Sequence, residues 1–175
     1  MVTLDGFFAG ADGNINWHNV DAEFNEFAEK QTPEFGTLIF GRVTYDLMAG
    51  YWPEEGVIKD DPIVAGIMNS VNKIVFSKTM KSADWNNTIA MNEINIEEIK
   101  KLKEQATKPL AIFGSGQIVQ EFAKLNLVDE YRLMINPLTL GQGKPLFKEP
   151  LKLKLIGNRE FKSGNVLLTY EPVNN

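Results

Sequence analysis

Three short apolar runs, residues 37–40, 73–76 and 110–113, end on small or cationic residues, and two of them lead directly into stretches with helical spacing. A strand that feeds a helix and is followed by another strand needs a crossover, so this alternation calls for parallel pairing. The helical stretches support it. Residues 20–31 carry Phe24, Phe27 and Ala28 on one stripe; residues 42–49 carry Val43, Leu47 and Met48 before Trp52-Pro53 closes them; and residues 96–106 and 117–125 are amphipathic. A further strand is expected at residues 89–91. The last third is different, with strand patterns at 130–135, 151–158 and 165–170 and no helix between them, which favours antiparallel pairing. The fold class expected is α/β with three layers: a mixed, mostly parallel sheet, antiparallel C-terminal strands, and helices on both faces.

A chain of 175 residues with 43% hydrophobic content buries one substantial core, so residues 1–175 are expected to form one domain. Cysteine is absent, which removes disulfides, thiolate metal sites and a cysteine nucleophile, and fits a cytoplasmic location. The net charge of −5 disfavours a nucleic-acid partner. Lys100, Lys101 and Lys103 alternate with Glu97, Glu98 and Glu104 at helical spacings, which describes a solvated face rather than a basic patch. No run is long and apolar enough for a membrane helix, and no leader pattern precedes Leu4, so neither membrane nor export is expected.

The chemistry is expected at the three strand ends, Gly41-Arg42-Val43-Thr44, Ser77-Lys78 and Gly114-Ser115-Gly116-Gln117. Helix starts present free N–H groups, and glycines let a phosphate approach them. Ligands of open α/β sheets bind beyond the carboxyl ends of the strands, and Arg42 and Lys78 suit an additional phosphate. A lone Gly-Xaa-Gly is often only a tight turn, and Val119 stands where the Rossmann fingerprint needs its third glycine. Gly141-Gln142-Gly143-Lys144 lacks P-loop spacing and reads as a loop. A single histidine, His18, provides neither a metal cluster nor a catalytic triad, so no metal is expected.

Several segments in this order resemble the dihydrofolate reductase superfamily, in the branch similar to the C-terminal reductase domain of the bifunctional deaminase-reductase of riboflavin biosynthesis. They are Leu4-Asp5-Gly6-Phe7-Phe8-Ala9-Gly10, Asn14-Ile15-Asn16-Trp17, Phe40-Gly41-Arg42-Val43-Thr44-Tyr45, Ile74-Val75-Phe76-Ser77-Lys78-Thr79, Ile112-Phe113-Gly114-Ser115-Gly116 and Val128-Asp129-Glu130-Tyr131, with Pro137 to Gly141. The resemblance implies a single-domain dihydrofolate-reductase-like fold and an NADPH-dependent oxidoreductase acting on a small heterocycle, either pteridine-like or like 5-amino-6-(5-phosphoribosylamino)uracil. It implies pyrophosphate binding near Thr44 and the Gly114 turn, 2′-phosphate binding by Arg42, Ser77 and Lys78, and a loop over the nicotinamide formed by residues 5–10 with Trp17. It also implies a proton-handling carboxylate early in the first helix, where Asp21 and Glu23 both stand; a helix cap is the other reading of Asp21. Members of the family usually carry several more apolar residues before Leu4, so the expectation is either a shortened form of the sequence or an unusually short first strand. A homodimer through the late strands, with the apolar 128–140 region as a surface, is the implied assembly. The other readings are a non-catalytic NADP-binding module of this fold, and an antifolate-resistance or scaffold-type binding protein.

Overall fold

The computed structural model describes residues 1–173. In chain order its elements are β1 (Val2–Thr3), β2 (Phe7–Ala9), α1 (Ala22–Gln31), a 3-10 turn (Thr32–Glu34), β3 (Thr37–Gly41), α2 (Arg42–Tyr51), α3 (Glu55–Asp60), α4 (Pro62–Ser70), β4 (Asn72–Phe76) and β5 (Thr88–Met91). Then follow α5 (Ile96–Gln105), β6 (Leu110–Ile112), α6 (Gly116–Lys124), β7 (Tyr131–Asn136), β8 (Lys144–Pro145), β9 (Leu153–Glu160) and β10 (Val166–Pro172). Contacts sort these into two compact units, one of Glu26–Ile118 and one of Met1–Asn25 with the chain from Val119 onward.

In the Glu26–Ile118 unit the sheet runs β5-β4-β3-β6 and every pairing is parallel. β3 is central, with Leu38, Ile39 and Phe40 at 2% exposure or less, as a strand covered on both sides should be. The core gathers Leu38, Phe40, Tyr45, Val64, Met68, Val75, Met80 and Trp85. Polar groups tie its edges. The Tyr45 hydroxyl accepts the Trp85 N–H at 3.0 Å, and the Trp85 indole donates to Asn69 Oδ1 at 2.8 Å. Lys73, on the buried side of β4, donates from Nζ to the carbonyls of Val71 and Asn86 at 2.7 and 2.9 Å.

In the other unit β1 pairs parallel with β7, which pairs antiparallel with β10, which pairs antiparallel with β9. β2 and β8 make a separate antiparallel pair. The mixed α/β class and the antiparallel character of the C-terminal strands are as the sequence implies, and β1 is indeed short. One expectation needs correction. Val43 and Leu47 do not face the core: they are 75% and 60% exposed, and α2 packs through Tyr45, Met48 and Ala49 instead. Residues 62–70 form a further helix started by Pro62, with Asp61 accepting the Val64 N–H at 3.1 Å. Among the described residues no helix is long and apolar enough to cross a membrane, and no group of three or more histidine, aspartate or glutamate residues could hold a metal.

Candidate functional site

Parallel pairing brings the carboxyl ends of β4, β3 and β6 side by side. Gly41 is level with Phe76, and Ile39 with Ile112, so Arg42, Ser77 and the Gly114 turn all emerge at one edge of the sheet. Side chains close the gap between the strand ends. The Gly41 N–H donates to Ser115 Oγ at 2.9 Å, Ser115 Oγ donates to the Phe113 carbonyl at 3.2 Å, and Thr44 Oγ1 donates to the Gly114 carbonyl at 3.2 Å. The starts of α2 and α6 are thereby laced together.

Both starts leave their N–H groups available. Three of the other helices are capped, while the short α3 is not: Asp21 accepts the Phe24 N–H on α1, Asp61 caps α4, and Asn95 accepts from Glu97 and Glu98 on α5. α2 begins at Gly41, which has no side chain to cap it. Ser115, just before α6, has its hydroxyl committed to Gly41 and Phe113. Uncapped N–H groups together with the positive end of a helix dipole favour an anion, typically by about 0.3–1 kcal/mol per helix at an exposed site, or about three- to thirtyfold in affinity for two helices.

The glycines set the clearance. Gly114 has φ of +61°, a left-handed conformation, and a Cβ there would stand 3.3 Å from Thr44 Cγ2. A Cβ on Gly41 would meet Ile118 Cγ1 at 3.2 Å. These two positions keep the lacing tight while leaving the N–H groups open. Cations flank them. Arg42 is half exposed, and its Nε donates to both carboxylate oxygens of Asp46, at 2.8 and 2.6 Å. Lys78 is exposed and makes no hydrogen bond to the described residues. Gln117 is exposed in the first turn of α6. Ser77 stands at the same edge, but its hydroxyl accepts the Thr79 and Met80 N–H groups at 3.3 and 3.1 Å and so shapes the turn after β4. Along α2, Arg42 and Asp46 border a cleft of about 950 Å³, whose other wall is residues 79–86. Chemically this edge can hold phosphate groups.

The residues expected to act on substrate lie in the other unit. The Trp17 indole donates to the Asn14 carbonyl at 3.2 Å, and its ring meets His18 edge-on at 4.5 Å between centroids. Asp21 is the cap of α1. Glu23 Oε2 accepts the Lys162 N–H at 2.9 Å, with Arg159 at 3.4 Å from Oε1. Two residues carry roles beyond those expected from the sequence. Asp46 was legible as an i, i+4 partner of Arg42. Asp5 accepts from the Thr3 hydroxyl at 2.6 Å and from the Leu140 and Gly141 N–H groups, and these bonds, the Thr3 hydroxyl foremost, hold its carboxyl below the ordinary aspartate value. Nothing local in the sequence announces that second contact, because 135 positions separate Asp5 from Leu140.

Comparison with known proteins agrees with this layout: the profile of the RibD C-terminal domain matches residues 1–167. The chain belongs to that family. It is 36% identical over 174 residues to YyaP of Bacillus subtilis (strain 168), an uncharacterized protein, covering 97% of this chain and 90% of that one. Among solved structures it is similar to a putative riboflavin biosynthesis protein from Shewanella sp. PV-4, with TM-score 0.72 and 23% identity over 99% of this chain and 96% of that one. It is also similar to the dihydrofolate reductase of Enterococcus faecalis, with TM-score 0.60 and 17% identity over 94% and 89% of the two chains. Thus the RibD C-terminal domain family member described here has the dihydrofolate-reductase-like fold.

Proposed function

We propose that this chain is an NADPH-dependent reductase, one functional domain over residues 1–175, cytoplasmic and homodimeric, that delivers a hydride to a small heterocycle of the pteridine or ribosylaminouracil kind. The observation that carries the reading is the pair of uncapped helix starts at Gly41 and Ser115, laced at adjacent parallel strand ends and flanked by Arg42 and Lys78. Membership in the RibD C-terminal domain family supports reductase chemistry, and the Enterococcus reductase of the same fold was solved with NADP(H). The first turns of α2 and α6 would hold the pyrophosphate, with Thr44, Ser115, Gly116 and Gln117 around it. Arg42 and Lys78 would meet the 2′-phosphate, Arg42 through charge-assisted bonds. Bound NADPH would supply the hydride itself, and the chain would supply position and electrostatics.

A second reading, a non-catalytic NADP-binding module, has an observation of its own: Asp21 and Glu23 both already serve backbone N–H groups. Titration of the purified protein with NADPH and with NADH, followed by tryptophan fluorescence at low salt, tests the cofactor. Micromolar NADPH binding with preference over NADH is expected, and Arg42→Ala should lower NADPH affinity about tenfold or more while changing NADH little. Equal losses for the two would remove Arg42 from the 2′-phosphate. Oxidation of bound NADPH by pteridines or aminopyrimidines then separates the enzyme from the module.

A further inference from the structure

Resting on that reading, the cationic edge contains one group that works against it. Asp46 lies one turn along α2 from Arg42, and both of its carboxylate oxygens accept from the Arg42 Nε–H, at 2.8 and 2.6 Å. The guanidinium therefore meets an incoming ligand only through its two Nη groups, which make no hydrogen bond to the described residues. A phosphate on that end sits within one side chain of the Asp46 negative charge. Both side chains are about half exposed, 46% for Arg42 and 50% for Asp46, so water and salt screen this repulsion without abolishing it. The other charged groups along the cleft are Lys81 and Asp84, which nominally offset each other, and Lys78 stands just before it. Asp46 is thus the carboxylate directly applied to the phosphate-seeking guanidinium.

We propose that Asp46 determines cofactor selectivity in this protein: it fixes Arg42 by its Nε edge and lowers the preference for a 2′-phosphorylated dinucleotide over the unphosphorylated one. A 2′-hydroxyl carries no charge and feels little of this field, so the effect falls on one cofactor only. As an exposed i, i+4 helix-surface contact the pair adds little stability, so its loss leaves the fold intact.

The test is Asp46→Asn, which keeps the shape and an acceptor oxygen. Dissociation constants for NADPH and NADH are measured by fluorescence titration at low and at high salt. The NADPH-over-NADH preference is expected to rise about three- to tenfold at low salt, through tighter NADPH, with NADH within twofold and the gain shrinking at high salt. An unchanged ratio, a falling ratio, or an equal change for both cofactors overturns the proposal. Arg42→Ala distinguishes its failure from failure of the cofactor reading. If wild type prefers NADPH and Arg42→Ala abolishes that preference while Asp46→Asn leaves it alone, only the role of Asp46 falls. Wild type and Asp46→Asn that bind neither dinucleotide overturn both.

Discussion

Lys73 shows how far a single residue can depart from its type. It sits within the β4 strand at 1% exposure, without a carboxylate partner, and its ammonium lies 4.4 Å from the centre of the Trp85 ring. Burial pushes its pKa down from 10.5 to about 8, because low polarisability penalises the charged form more than two carbonyls and a ring face compensate. The stem of the lysine fills sheet surface while the head ties residues 71 and 86 together, a use of the side chain that explains a charge inside an apolar run. With Trp17 and Trp52 replaced by phenylalanine, Trp85 emission should change with a midpoint near pH 8, and Lys73→Met should remove that transition. A midpoint near the ordinary lysine value would mean that the head is solvated. Arg42 gives the contrasting case, since its pairing with Asp46 is an exposed contact that contributes little stability and matters through charge alone.

At the scale of elements, the lacing of α2 to α6 depends on the turn before α6. Gly114→Ala places a Cβ in a left-handed conformation and 3.3 Å from Thr44 Cγ2, at a cost of about 1–2 kcal/mol. Chemical denaturation should show that loss, and phosphate or dinucleotide binding should weaken with it, because Thr44 must shift away from the Gly114 carbonyl; unchanged binding would mean that the turn does not shape the anion edge. This turn was legible in the sequence because glycine and serine between a strand and an amphipathic helix leave few alternatives. α4 was not, because Ile63-Val64-Ala65-Gly66-Ile67-Met68 is a continuous apolar run in which helix and buried strand look alike. Its start signal, Asp61 before Pro62, was there to be used. α2 was legible as a helix but not in its orientation, since Val43 and Leu47 match the helical period as well as the residues that pack. The alternation of Leu151, Leu153 and Leu155 marked a strand, which in the structure begins at Leu153, yet the register passes from Gly157 opposite Thr169 to Leu155 opposite Tyr170 and skips Ile156. That bulge breaks the period of two, and Leu155 and Ile156 both remain about half exposed. The strand ends that carry cofactor candidates could be read locally; the contacts of Asp5 with Leu140, of Glu23 with Lys162 and of Asn19 with Asn136 could not, as each spans more than a hundred residues.

For the whole molecule, each compact unit contains a buried base that folding prefers uncharged, His18 and the Met1 amino group in one and Lys73 in the other, and this predicts the shape of its stability against pH. His18, in the unit with Met1–Asn25, is held down from 6.5 to about 4 by burial and then by the amino terminus, and its Nε2 is buried without a protein partner. Between those two values the unfolded chain binds the proton that the folded chain refuses, so stability present above pH 6.5 is lost as the pH falls towards 4. The same sign holds for Lys73 in the Glu26–Ile118 unit: stability rises as the pH climbs from about 8 to 10.5, where the unfolded chain still carries the proton. Each window is worth about 1–3 kcal/mol after discounting for the part of each group that solvent still reaches. Urea unfolding from pH 4 to 10.5 should therefore show an acid rise from His18 and an alkaline rise from Lys73, with the buried Met1 amino group adding to the rise below pH 8. His18→Gln should flatten only the acid rise and Lys73→Met only the alkaline one. Since the two residues lie in different units, a variant that flattened the opposite window would show that its charge acts through the fold at large rather than through its own burial.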